Sequence, residues 1–209
     1  MQQKLKQIAI WLIAFLVMFF AVKGFRNYYF EEVTLKNIQS NVEEKLDKIN
    51  NPIVEEGGSK SQAVVDSAIS NAKESLDSAN SESQKLQKAV DMFRGFYLVN
   101  AKARPRFCLK YNVRIDSFVK AFEKEHAKEY AFMKNYESTN QQITVKLYEM
   151  LNDLLDKQVA IEMSNTAKEY KMEMEIYCKT FETNANDYIQ ELKISKRMPE
   201  IYQLMNKWK

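Results

Sequence analysis

Apolar residues are spread unevenly along this chain. One unbroken run, Ile8 to Val22, lies between Lys4/Lys6 and Lys23/Arg26, and nothing comparable follows it. As a helix, its 15 residues span about 22 Å, short of the roughly 30 Å hydrocarbon core of a bilayer. Extension to Leu5–Phe25 closes the gap if Lys6 and Lys23 reach into the headgroups, and Trp11 with Phe25, Tyr28, Tyr29 and Phe30 supplies interfacial aromatics. Ile8, Trp11, Leu12, Phe15, Phe19 and Val22 therefore form a candidate membrane anchor. A cleaved signal peptide is the alternative: Phe19 spoils Ala21 as a cleavage position, whereas Gly24 with Val22 before it is tolerable. Retention is the expectation. Flanking positive charge is nearly balanced, and the short basic tail favours a cytoplasmic N-terminus with the body translocated.

Downstream, helical stripes replace the run. Leu35, Ile38, Val42, Leu46 and Ile49 step by three or four up to the stop at Asn50-Asn51-Pro52, and Gly57-Gly58-Ser59 completes a turn. The clearest pattern follows. Val65, Ile69, Ala72, Leu76, Ala79, Ser83, Leu86, Val90, Phe93 and Tyr97 alternate steps of four and three, the seam of a coiled coil or of one helix in a bundle. This predicts a continuous helix over Lys60–Leu98 with a break near Asn100–Pro105. A third stripe runs through Ile115, Val119, Phe122, His126, Tyr130 and Met133, then a polar interruption covers Glu137–Asn140. Ile143, Leu147, Met150/Leu151, Leu154 and Ile161 mark a fourth. The fifth, Tyr170, Met174, Tyr177, Phe181, Tyr188 and Leu192, ends at Met198-Pro199 before a short amphipathic tail carrying Ile201, Leu204, Met205 and Trp208.

The expected fold is all-α: a single N-terminal transmembrane helix followed by an elongated helical-bundle or coiled-coil-like body. The anticipated divisions are an anchor at 1–30, a membrane-proximal helix and turn at 31–58, a heptad-patterned helix and connector at 59–111, and antiparallel helices at 112–209. Four glycines and three prolines in 209 residues argue against an all-β chain. Without Lys4, Lys6, Lys23 and Arg26 the body carries 27 basic and 28 acidic residues, which gives no electrostatic case for nucleic acid.

Local charge is less even. Between Asp91 and Asp116 there is no acidic residue, whereas Arg94, Lys102, Arg104, Arg106, Lys110 and Arg114 are interleaved with Phe93, Phe96, Tyr97, Phe107 and Tyr111. Such a segment suits anionic headgroups or an acidic partner, or it is a solvated linker paired with acidic helix faces. Cys108 and Cys178, the only cysteines, become a candidate disulfide if the body is exported; two buried thiols are the alternative. Glu123, His126 and Glu129 share a helical face, but a carboxylate-bridged di-metal site needs two Glu-x-x-His motifs, and this chain has one histidine. Neither a nucleophilic triad nor a phosphate-binding glycine motif is present, so no catalytic residue or cofactor is assigned.

These patterns lead to a non-enzymatic, single-pass membrane protein, with its body in the periplasm of a bacterial inner membrane or secreted there after cleavage. Its expected role is as a scaffold or accessory subunit of a membrane-associated assembly. The expected partners are the lipid bilayer, through the N-terminal helix, and other proteins or a second copy, through the seam Val65, Ile69, Leu76, Leu86, Val90, Phe93 and Tyr97. A ligand- or lipid-sensing bundle that signals through a partner is the alternative.

Overall fold

A computed structural model describes residues 70, 73–140 and 145–208, with the backbone alone at 140 and 145–151. Among these residues every regular element is helical. A helical turn at 73–77 leads to α1 (Glu82–Leu98), a π-helical segment (Val99–Ala103), α2 (Arg104–Leu109), α3 (Asp116–Glu125) and α4 (Ala127–Asn140). Then come α5 (Val145–Glu169), α6 (Met174–Thr183), α7 (Ala185–Glu191), α8 (Ile194–Arg197) and α9 (Pro199–Lys207). The apolar run at Ile8–Val22, the turn at Pro52–Ser59 and the seam positions Val65 and Ile69 lie outside the described residues. No helix among the described residues is long and apolar enough to cross a membrane.

The expected continuous helix over Lys60–Leu98 is interrupted at 78–81. Ser81 caps α1 by accepting from the Gln84 backbone N–H, while the Gln84 side chain accepts from the Asn80 N–H. This reciprocal pairing satisfies donors that a helix start leaves open and so favours a fresh start over continuation. Lys88 ties the preceding turn back onto α1 by donating to the Ser75 carbonyl and the Ser78 hydroxyl.

At its C-terminal end α1 is buried on every side, with Met92 through Leu98 all inside the core. A helix surrounded in this way is the centre of a bundle, not one strand of a two-helix seam. Its neighbours include α4 and α9. Phe93, Phe96, Tyr97, Phe122 and the His126 ring form one aromatic stack, with Phe96 and Phe122 5.3 Å apart. Apolar residues from Leu76 to Met205 belong to a single core, so residues on both sides of position 111 share one interior.

The anticipated break at Asn100–Pro105 is absent, because the backbone stays helical by widening. The Arg104 N–H reaches back five residues to the Val99 carbonyl, and Pro105 then falls in the first turn of α2, where a missing N–H is tolerated. Breaks occur elsewhere, at His126, at 170–173 and at Asn184. Two ends are closed by left-handed residues, Asn112 (φ 57°) and Lys171 (φ 52°). In each, the next N–H bonds five residues back, Val113 to Cys108 and Met172 to Ala167.

Of the fourth stripe, Leu154 is buried and Ile161 is exposed, while Ile143 and the side chains of Leu147, Met150 and Leu151 lie outside what the structure describes. Among the described side chains of α5 the buried positions are Leu154/Leu155, Gln158/Val159, Glu162/Met163 and Thr166/Ala167. The buried face steps by four and includes three polar side chains, which hide it from an apolar count.

Candidate functional site

The interface of α1 and α4 carries a continuous polar chain. The Tyr136 hydroxyl donates to Gln87 Oε1 at 2.9 Å, and Gln87 Nε2 donates to both Asp91 carboxylate oxygens at 3.1 Å. Asp91 in turn accepts from Arg94 Nη1, and Arg94 Nε donates to Glu137 Oε1, both at 2.6 Å. Lys134 closes the outer end at 3.2 Å from Glu137 Oε2. Burial pushes the Asp91 carboxyl above its ordinary range, against the pull of Arg94 and Gln87.

Tyr136, at the start of that chain, also lines a groove of about 380 Å³ open to solvent. Phe132, Tyr136 and Trp208 provide its aromatic surface, with Leu86 beside them; Ser83, Asn135 and Thr139 provide hydroxyl and amide groups. Phe132 and Tyr136, one turn apart on α4, lie 6.4 Å apart at 32°. Next to Trp208 and Ser83 in the chain, Lys207 and Glu82 pair at 3.3 Å and join the end of α9 to the start of α1.

A second polar cluster is fully enclosed between α2, α5 and α6. Arg104 donates to Glu162 Oε1 and to the Met163 sulfur, each at 2.8 Å, and its guanidinium lies 4.8 Å from the Phe181 ring centroid. Arg104 Nε and the hydroxyls of Thr166 and Tyr177 are buried without a hydrogen-bond partner of ordinary geometry. Burial raises the Glu162 carboxyl despite Arg104 and drives the Tyr177 phenol well above its usual value. Cys108 and Cys178 are joined beside this cluster, with Cα atoms 5.6 Å apart, and fasten α2 to α6.

The basic segment therefore does not form one exposed face, and the expected contact set needs correction. Arg94 and Arg104 are buried in ion pairs, because their stretch is core helix and not linker. Arg106 pairs with Asp156 at 2.7 Å, Lys102 with Glu123 at 3.8 Å and Arg114 with Asp116 at 2.9 Å, all nearer the surface. Lys110 is exposed, its ammonium 6.0 Å from the Phe107 ring centroid. Of the seam, Leu76, Leu86, Val90, Phe93 and Tyr97 are buried inside the bundle.

His126 is buried inside the bundle. It is 1% exposed, at the break between α3 and α4, with Nδ1 2.9 Å from the Phe122 carbonyl and Nε2 3.1 Å from that of Leu192. Burial lowers its pKa, opposed by those carbonyls and by Glu129 and Glu125. Among the described residues no group of three His, Cys, Asp or Glu side chains is arranged to hold a metal.

The sequence reading missed Gln87, Asp91, Glu137 and Glu162. Gln87, Asp91 and Arg94 share a flank of α1 at i, i+4 and i+7, which is a readable signal. The pairings to Glu137 and Glu162 span 43 and 58 residues and leave no local trace. No protein-family model, curated protein or solved structure matches this chain.

Proposed function

We propose that this is a non-enzymatic membrane-tethered protein whose helical body lies outside the cytoplasm, in the periplasm of a bacterial inner membrane, and serves as a scaffold or accessory subunit. The observation that carries this reading is the pairing of Cys108 with Cys178. Disulfides persist in oxidising compartments, and the apolar run at Ile8–Val22 is a means of export and tethering. Leu109, next to Cys108, and Ile176, two residues before Cys178, are 54% and 51% exposed, and in this proposal they are contact points for a protein partner.

The test joins topology and capture. Alkaline phosphatase fused after Lys209 is expected to be active, and gentle detergent extraction with the full chain as bait is expected to recover a defined membrane assembly. Leu109→Ser with Ile176→Ser should lower that recovery without altering the thermal midpoint. An inactive fusion, or a chain recovered alone, would overturn the proposal.

A further inference from the structure

We infer that the groove between α1, α4 and the C-terminal Trp208 binds a neutral saccharide of one or two rings. The inference goes beyond the scaffold reading and does not depend on it. The volume of about 380 Å³ lies within the range of small-molecule sites, about 300–1,000 Å³.

The lining chemistry selects the ligand. Phe132, Tyr136 and Trp208 present ring surface, and Trp208 is 49% exposed, so its indole face is open to a partner. A pyranose ring has an apolar C–H face that lies against such rings and a hydroxyl periphery that needs both donors and acceptors. Asn135 supplies both in its side-chain amide, and the hydroxyls of Ser83 and Thr139 add more. Among the described residues no Asp, Glu, Lys, Arg or His side chain lines the groove, so that lining offers no charge to compensate the desolvation of a charged ligand.

The wall is also fixed in advance. The Tyr136 hydroxyl is held by Gln87, which is held by Asp91 and, through it, by Arg94 and Glu137. A ring anchored in this way loses little freedom when a ligand stacks on it, which lowers the entropic cost of binding.

Fluorescence of the full chain in detergent micelles tests this. The chain has two tryptophans, so Trp11→Phe leaves Trp208 as the sole reporter. Acrylamide is expected to quench it. Titration with maltose, cellobiose and di-N-acetylchitobiose is expected to give a saturable blue shift with at least one sugar, with Kd in about the millimolar range or below. Asn135→Ala should weaken that binding about tenfold. Tyr136→Phe should weaken it less, by releasing the ring from Gln87 while keeping its face. An indole already shielded from acrylamide in the free chain would overturn the inference. No saturable response to any of the three sugars, or a response that Asn135→Ala leaves unchanged, would do the same.

Discussion

Among the described residues two arginines are buried, and they are held in opposite ways. Arg94 lies between two carboxylates whose side chains retain 18% and 14% of their exposure, and its network runs outward to Lys134 and to the groove. Arg104 has one carboxylate, Glu162, 3% exposed, and is closed in by Met163 and Phe181. The first arrangement relaxes toward solvent when disturbed. The second has nowhere to send an unpaired charge. A buried ion pair is costly to break, yet often replaceable as a unit by apolar residues, so the two regions should respond differently to the same kind of change.

The largest effect is expected from Glu162→Ala, which leaves the Arg104 charge without its carboxylate and should cost about 3–5 kcal/mol in urea unfolding. Replacing the pair together, Arg104→Leu with Glu162→Leu, should recover most of that loss; a double variant as weak as the single one would refute the sealed-site account. Next is the disulfide. It closes a 70-residue separation, and Cys108→Ser with Cys178→Ser should cost about 4 kcal/mol on the chain-entropy relation. Hydrogen exchange should then quicken in α2 and α6 before α1 and α4. At the open site Glu137→Gln is expected to cost only about 1–3 kcal/mol, since Arg94 keeps Asp91. A loss equal to that of Glu162→Ala would erase the distinction between the two regions.

The gentlest effect is a slope with pH. The folded His126 imidazole has a pKa below its ordinary 6.5, so as pH falls the unfolded chain binds that proton first. Its contribution to stability is therefore complete above 6.5 and declines as pH drops from there through the folded value. Asp91 and Glu162, raised above 3.8 and 4.5, act in the reverse sense, favouring the fold most below those values and less as pH rises through their folded values. His126→Gln should flatten the decline just below pH 6.5 in thermal melts; an unchanged slope would place its origin elsewhere.

How much was readable in the amino acids varied along the chain. Leu86, Val90, Phe93 and Tyr97 are buried along α1 at the spacing that a helix imposes, and Leu76 is buried on the separate turn before the interruption. The stop at 78–81 was also written locally, in Ser81 and Gln84, but the surrounding heptad spacing concealed it. Ile161 fits an apolar stripe and is exposed, whereas Gln158, Glu162 and Thr166 look like surface and are buried. On α5 the buried face is set by what α2 and α6 bring to it, including a guanidinium that requires a carboxylate.

The sequence by itself determined that this body is helical, where its main apolar faces lie and which two thiols were available to pair. Those properties follow from local backbone geometry and side-chain type, acting over a few residues. Tertiary structure alone decided that α1 is the centre of the bundle, that Arg94 and Arg104 are withdrawn into ion pairs, and that Trp208 meets Phe132 and Tyr136 around one groove. These depend on desolvation and on charge partners far apart in the chain, quantities that no short window of sequence contains.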